Sequence, residues 1–273
     1  MGSFVNQPSQ LLDVTQHSSL SLPRRDTLAV LFSLTSITVL AWIYLIDMAN
    51  GMTTMDMSST MDMLSIRPWT GREFWFMFLM WAIMMVGMMV PTAIPMTLMY
   101  AAVARKADER KTPIAPASIF VTGYLIIWTV FSVAATTAQW ALDQAALLSP
   151  MLITTSPTIG ASLLIAAGVY QLTPFKQACL KKCRGPLHFL AHHWRPGIMG
   201  ALRMGVDHGL FCLGCCWILM ALLFVGGVMN LLWIATITLF VLLEKVIPFG
   251  PQGGRIAGLA MIVVGVALIA DVL

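Results

Sequence analysis

From Met204 to Leu243 this chain is almost unbroken apolar sequence, and no Asp, Glu, Lys or Arg interrupts it between Asp207 and Glu244. One bilayer crossing takes about 20 apolar residues as a helix. The run is therefore long enough for two crossings, with a natural turn at Gly226-Gly227. A soluble domain cannot clothe such a run, because its polar residues must cover the whole outer surface. The composition removes that option: 58% of the residues are hydrophobic and 10% charged, against about 25% charged in ordinary globular domains. The same balance excludes disorder. The expected fold class is all-α, a polytopic transmembrane helical bundle of about seven spans, with six possible.

The spans are expected near 27–47, 73–103 (broken by Pro91 and Pro95), 117–141, 157–176, two within 204–243, and 254–271. Residues 1–26 form a polar N-terminal segment without the apolar core of a secretory signal. Residues 27–273 form one helical domain, with an outer Met-rich loop at 48–72 and an inner basic Cys/His loop at 177–203. Arg and Lys at 24, 25, 105, 106, 110, 111, 176, 181, 182, 184, 195, 203, 245 and 255 fall on one side of this map, and only Arg67 and Arg72 on the other. That asymmetry puts the N-terminus on the cytoplasmic side and the 48–72 loop outside. The net charge of +4 is loop asymmetry of this kind and not a nucleic-acid footprint. The lipid bilayer is the first expected partner.

Five Cys is an odd number, and none falls in a predicted outer loop. This points to thiol or metal chemistry instead of a disulfide framework. The densest constellation is Met204-x3-His208-x3-Cys212-x2-Cys215-Cys216. At helical pitch, Met204, His208, Cys212 and Cys215 lie within about 80° of one face, with Cys216 at its edge. Imidazole, thiolate and thioether form a soft donor set that suits Cu(I), with Zn(II) second. The competing reading is that Cys is a small buried core residue and His208 makes a local hydrogen bond. Arg203 and Asp207 stand at i,i+4. They are either an interfacial ion pair, or Asp207 orients His208.

Methionine is the second signal, with 21 in the chain. In span two, Met80, Met84 and Met88 form one stripe and Met85 and Met89 another, with Gly87 leaving room for a close neighbour. Met is also a plain gap-filler, so core packing stands beside a ligand role. The outer loop adds Met52, Met55, Met57, Met61 and Met63, which either collect Cu(I) or lie in the lipid interface. On the inner side, Cys179-x3-Cys183 precedes His188, His192 and His193. That set is a compact zinc-like pattern, a Cu(I) acceptor, or a basic loop with incidental His. No phosphate-binding Gly loop, serine elbow, carboxylate pair within a span or internal repeat is present.

The segments WAIMMVGMMVPT (81–92), GVYQLTPFKQACLKKCRGP (168–186), GALRMGVDHGLFCLGCCW (200–217) and MALLFVGGVMNLLW (220–233), ending near Glu244-Lys245, resemble a bacterial family of metal-binding integral membrane proteins. That family is copper-chaperone-like and linked to the maturation of copper oxidases such as tyrosinase. The likeness covers about 73–248. It implies copper handling by Met84, Met85, Met88, Met89, Cys179, Cys183, His208, Cys212, Cys215 and Cys216, and Met204 joins them from its place on the helical face. The expected function is a membrane copper-binding protein that receives Cu(I) and passes it to a cuproenzyme, without being an enzyme itself. The alternatives are a thiol–disulfide oxidoreductase using the Cys pairs and a metal-free scaffold.

Overall fold

The computed structural model describes residues 23–53, 69–109, 115–145 and 156–272. Among them the chain is all-helical. The helices are α1 (Arg24–Thr53), α2 (Gly71–Glu109), α3 (Ala117–Gln144), α4 (Pro157–Leu172), α5 (Pro174–Arg184), α6 (Pro186–His193), α7 (Gly197–Ala221), the single turn α8 (Leu223–Gly226), α9 (Leu231–Val246) and α10 (Gly250–Val272). The starts carry the expected signals. Thr70 and Glu73 close a capping box on α2, with Thr70 N donating to Glu73 Oε2 (2.6 Å) and Glu73 N to Thr70 Oγ1 (3.3 Å). Ser156, Thr173 and Asn230 cap α4, α5 and α9, the first two followed by a Pro at N1.

Among the described residues, five helices are long and apolar enough to cross a membrane: α1, α2, α3, α7 continued through α8, and α10. Of the expected counts of seven or six spans, seven is thus not confirmed. Two of the expected spans differ for identifiable reasons. The expected span 157–176 is cut at Thr173-Pro174, where the missing N–H ends α4, and α5 leaves at 64°. Counting that bent pair as one span gives six. The turn at Gly226-Gly227 is where the sequence puts it, with Gly227 at φ +94°. Beyond it, however, α9 has 16 residues, about 24 Å at 1.5 Å per residue, short of a bilayer core of roughly 30 Å.

Three further expectations change. The inner loop 177–203 is mostly helix, as α5, α6 and the start of α7. The outer loop cannot begin at 48, because α1 continues to Thr53. Most of that loop, and the N-terminal polar segment, lie outside the described residues. Finally, α2 runs unbroken through Pro91 and Pro95. Pro91 lacks the N–H that would bond the Gly87 carbonyl, and the Trp42 indole of α1 donates to that carbonyl instead at 3.3 Å. A neighbouring helix thereby satisfies the freed group, as an apolar surrounding demands. The close approach expected at Gly87 is made by α1, where Ala41 would lie 3.3 Å from an added Cβ.

The helices pack as α4 with α10, α3 with α7, α1 with α2, α2 with α3, and α5 with α7. The outer faces are apolar: Phe32 on α1, Val130 on α3, Leu232 on α9 and Val263 on α10 are all exposed. That distribution is consistent with membrane insertion. The α3–α7 contact depends on Gly123 and Gly205, each facing the other helix's backbone, so that a Cβ on Gly205 would run into the Phe120 carbonyl. Gly205→Ala should therefore cost about 1–3 kcal/mol through overpacking, and Gly253→Ala should be near neutral, since nothing lies within 4 Å of its added Cβ. Thermal unfolding in detergent micelles measures both.

Candidate metal centre

All five cysteines are free and converge where α5 packs on α7. Cys212, Cys215 and Cys216 are buried on α7, and Cys179 is buried on α5. The Cys183 thiol meets those of Cys212 and Cys215. Cys179 lies over the backbone of Gly214, where a Cβ would stand 2.9 Å from its sulfur. Two of the thiols turn back on their own helix: Cys215 Sγ and Cys216 Sγ each donate to the Cys212 carbonyl at 3.0 Å. To meet a metal they must rotate about χ1.

Met84, Met85, Met88 and Met89 are all fully buried and belong to the same apolar cluster as Cys179, Cys212, Cys215 and Cys216. The α2 stripe thus reaches the cysteines. Tyr124 of α3 and Lys245 of α9 stand between them. The Tyr124 hydroxyl is 3.0 Å from both the Met89 carbonyl and Cys212 Sγ. Lys245 Nζ donates to Cys212 Sγ (2.9 Å) and to Thr92 Oγ1 (3.2 Å). Met204 is separated from this group. It is buried, but it packs in a second cluster with Met96, Tyr100 and Phe120. A shared helical face aligned it with Cys212, yet it lies two turns away and against different neighbours.

His208 occupies the boundary between the two clusters. Its ring stacks near Phe120 (5.9 Å) and Tyr124 (5.5 Å), with Phe189 edge-on at 5.7 Å. It is buried, and its Nδ1 has no hydrogen-bond partner among the described residues. Such an orphaned buried nitrogen is costly unless something binds it. Asp207 is not that partner. Nor does it pair with Arg203 as i,i+4 spacing suggests: it stands 4.0 Å from Arg195, which the turn at Pro196-Gly197 brings back over α7.

Zinc has no support here. Among the described residues no group of three or more His, Cys, Asp or Glu is arranged to hold a metal ion, and structural zinc takes four such donors in a tetrahedron. Cu(I) is less demanding, because soft thiolate and thioether donors suit it and Met supplies the thioethers. The donor set therefore fits a soft monovalent cargo better than a hard or tetrahedral one.

The sequence reading missed the ionic part of this centre. Lys176 and Lys245 were counted among inner-loop charges, yet both are buried, as is Glu244. Lys176 Nζ donates to Glu244 and to Gln171, and Arg184 holds the last carbonyls of α9, with Glu244 O at 3.1 Å and Ile247 O at 2.7 Å. The available signal was an isolated Glu-Lys pair closing a long uncharged run. Removing one member of the buried pair, as in Lys176→Met or Glu244→Gln, should destabilise by about 3–5 kcal/mol. The double change Lys176→Met/Glu244→Leu should cost less than the two singles summed, and a double-mutant cycle in mixed-micelle unfolding reads the difference.

The model of one protein family matches residues 78–268, from within α2 to within α10, and covers α3, α5, α7 and α9 with every cysteine of the centre. That family is described as PpoB2, a copper chaperone. No curated protein and no solved structure matches the chain. The match spans well over half of the sequence, and the chain belongs to the PpoB2 copper chaperone family.

Proposed function

We propose that this chaperone binds Cu(I) within the bilayer at the α5–α7 thiol cluster and delivers it by ligand exchange to a cuproenzyme, such as a copper oxidase. One observation carries the reading. Five cysteines from two helices and the buried methionines of a third occupy one apolar cluster. Cys183, Cys212 and Cys215 supply the thiol donors, Cys179 and Cys216 stand beside them, and Met84, Met85, Met88 and Met89 offer thioethers on the facing side. His208 adds a nitrogen with no other partner among the described residues.

Copper is cargo in this reading, so the centre must release what it binds. Soft donors at low coordination number permit that, because one incoming thiolate or thioether can replace one outgoing ligand while the ion stays Cu(I). No bond in a substrate is made or broken, and the protein acts without being an enzyme. A thiol–disulfide enzyme would leave the methionine stripe without a role. The positive-inside distribution supports a bacterial inner membrane with the N-terminus in the cytoplasm. Lys176 and Lys245, being buried, carry no weight in that count.

Purified full-length protein loaded with Cu(I) should retain copper by elemental analysis. Cys212→Ser/Cys215→Ser should lose at least half of it, and His208→Ala should lower the stoichiometry as well. Equal copper in all three proteins overturns the central site. A parallel zinc loading should leave no zinc that depends on Cys212 and Cys215.

A further inference from the structure

Helix α6 carries histidines that the thiol cluster does not use. His188 and His192 stand at i,i+4 on its exposed face, with ring centroids 4.2 Å apart. Two His at this spacing on one helical face are the pair that binds the metal in zinc-protease helices. The tautomers are fixed as well. His192 Nδ1 lies 2.9 Å from the His188 carbonyl, and His193 Nδ1 lies 3.1 Å from the Phe189 carbonyl. A carbonyl only accepts, so in both rings Nδ1 carries the hydrogen and Nε2 keeps its lone pair. Metal-ligating histidines are oriented in just this way, by donating the second ring N–H to a backbone carbonyl.

The same rings lead inward. His193, half-buried, stacks on Phe189 at 4.6 Å, and Phe189 in turn meets the His208 ring at 5.7 Å. His208 is one helical turn from Cys212. Imidazoles therefore stand on α6 and at the edge of the thiol cluster, with the Phe189 ring between His193 and His208. The surroundings at the outer end are basic: Lys181, Lys182 and Arg184 close α5 just before α6, and Arg195 follows it. Positive neighbours weaken the hold on a cation, which suits an ion in transit.

We propose that His188 and His192 form a surface Cu(I) site, holding the ion through Nε2 of His192 and a ring nitrogen of His188, and that this site passes copper between the thiol cluster and a partner. His193 and His208 are the donors on the way. The proposal rests on the thiol-cluster reading for its cargo, but the site stands on its own residues.

The test uses the full-length protein in detergent. Cu(I) is titrated in competition with bicinchoninate, and its transfer from loaded protein to bathocuproine disulfonate is timed. His188→Ala/His192→Ala, both at exposed positions, should lose one weakly held equivalent, keep the thiol-bound copper, and slow the transfer about tenfold. Unchanged stoichiometry together with an unchanged transfer rate overturns the surface site. Cys212→Ser/Cys215→Ser separates the two readings. If that variant keeps every equivalent while the His variant loses one, the thiol-cluster reading falls and the surface site stands.

Discussion

The bundle is organised around charges that it must bury. Glu244 and Lys245 end α9 inside the protein, and Lys176 begins α5 there. An isolated charge in an apolar interior costs many kcal/mol, so each must find a partner or be excluded. Lys176 takes Glu244, which leaves Lys245 to the thiol of Cys212 and the hydroxyl of Thr92. These contacts tie α2, α4, α5, α7 and α9 together at one level. The thiol cluster forms at that level because the same contacts bring α5 against α7.

Backbone groups obey the same constraint. Pro91 frees the Gly87 carbonyl, and Trp42 reaches across from α1 to bond it. The Met89 carbonyl accepts from Thr92 Oγ1 and from the Tyr124 hydroxyl. Trp42 and Tyr124 come from neighbouring helices, so Pro91 does not break α2 but binds it to α1. In this way the methionine stripe keeps an unbroken helix behind it. Tyr124 does double duty, since one hydroxyl touches both the Met89 backbone and the Cys212 sulfur.

Function follows from what those contacts leave open. His208 has aromatic rings on three sides and a ring nitrogen with no partner among the described residues, one turn from Cys212. Cys215 and Cys216 rest on a backbone carbonyl and are freed by side-chain rotation alone, so these two thiols can turn with little rearrangement of the helices. A site assembled from rotatable sulfur donors is suited to exchange, whereas four fixed ligands would be suited to retention.

Much of this was legible in the chain itself. Apolar runs and scarce charges determine an all-helical, bilayer-compatible protein, because no other backbone arrangement satisfies its own polar groups in lipid within single segments. Helical periodicity places His208, Cys212 and Cys215 on one buried face, and the paired methionines of α2 all turn inward as their spacing requires. The turn at Gly226-Gly227 was equally plain. Other features required long-range contacts that local pattern does not encode. Periodicity could not tell that Met204 packs with Tyr100 and Phe120, that Asp207 faces Arg195, or that Lys176 and Lys245 are buried. The length of α9 and the 64° bend at Pro174 likewise cut the span count below what hydropathy suggests. The sequence by itself determined which side chains are soft donors and which helix face carries them. Only the tertiary structure decided which donors meet, because buried charges and freed carbonyls can be satisfied only from another helix.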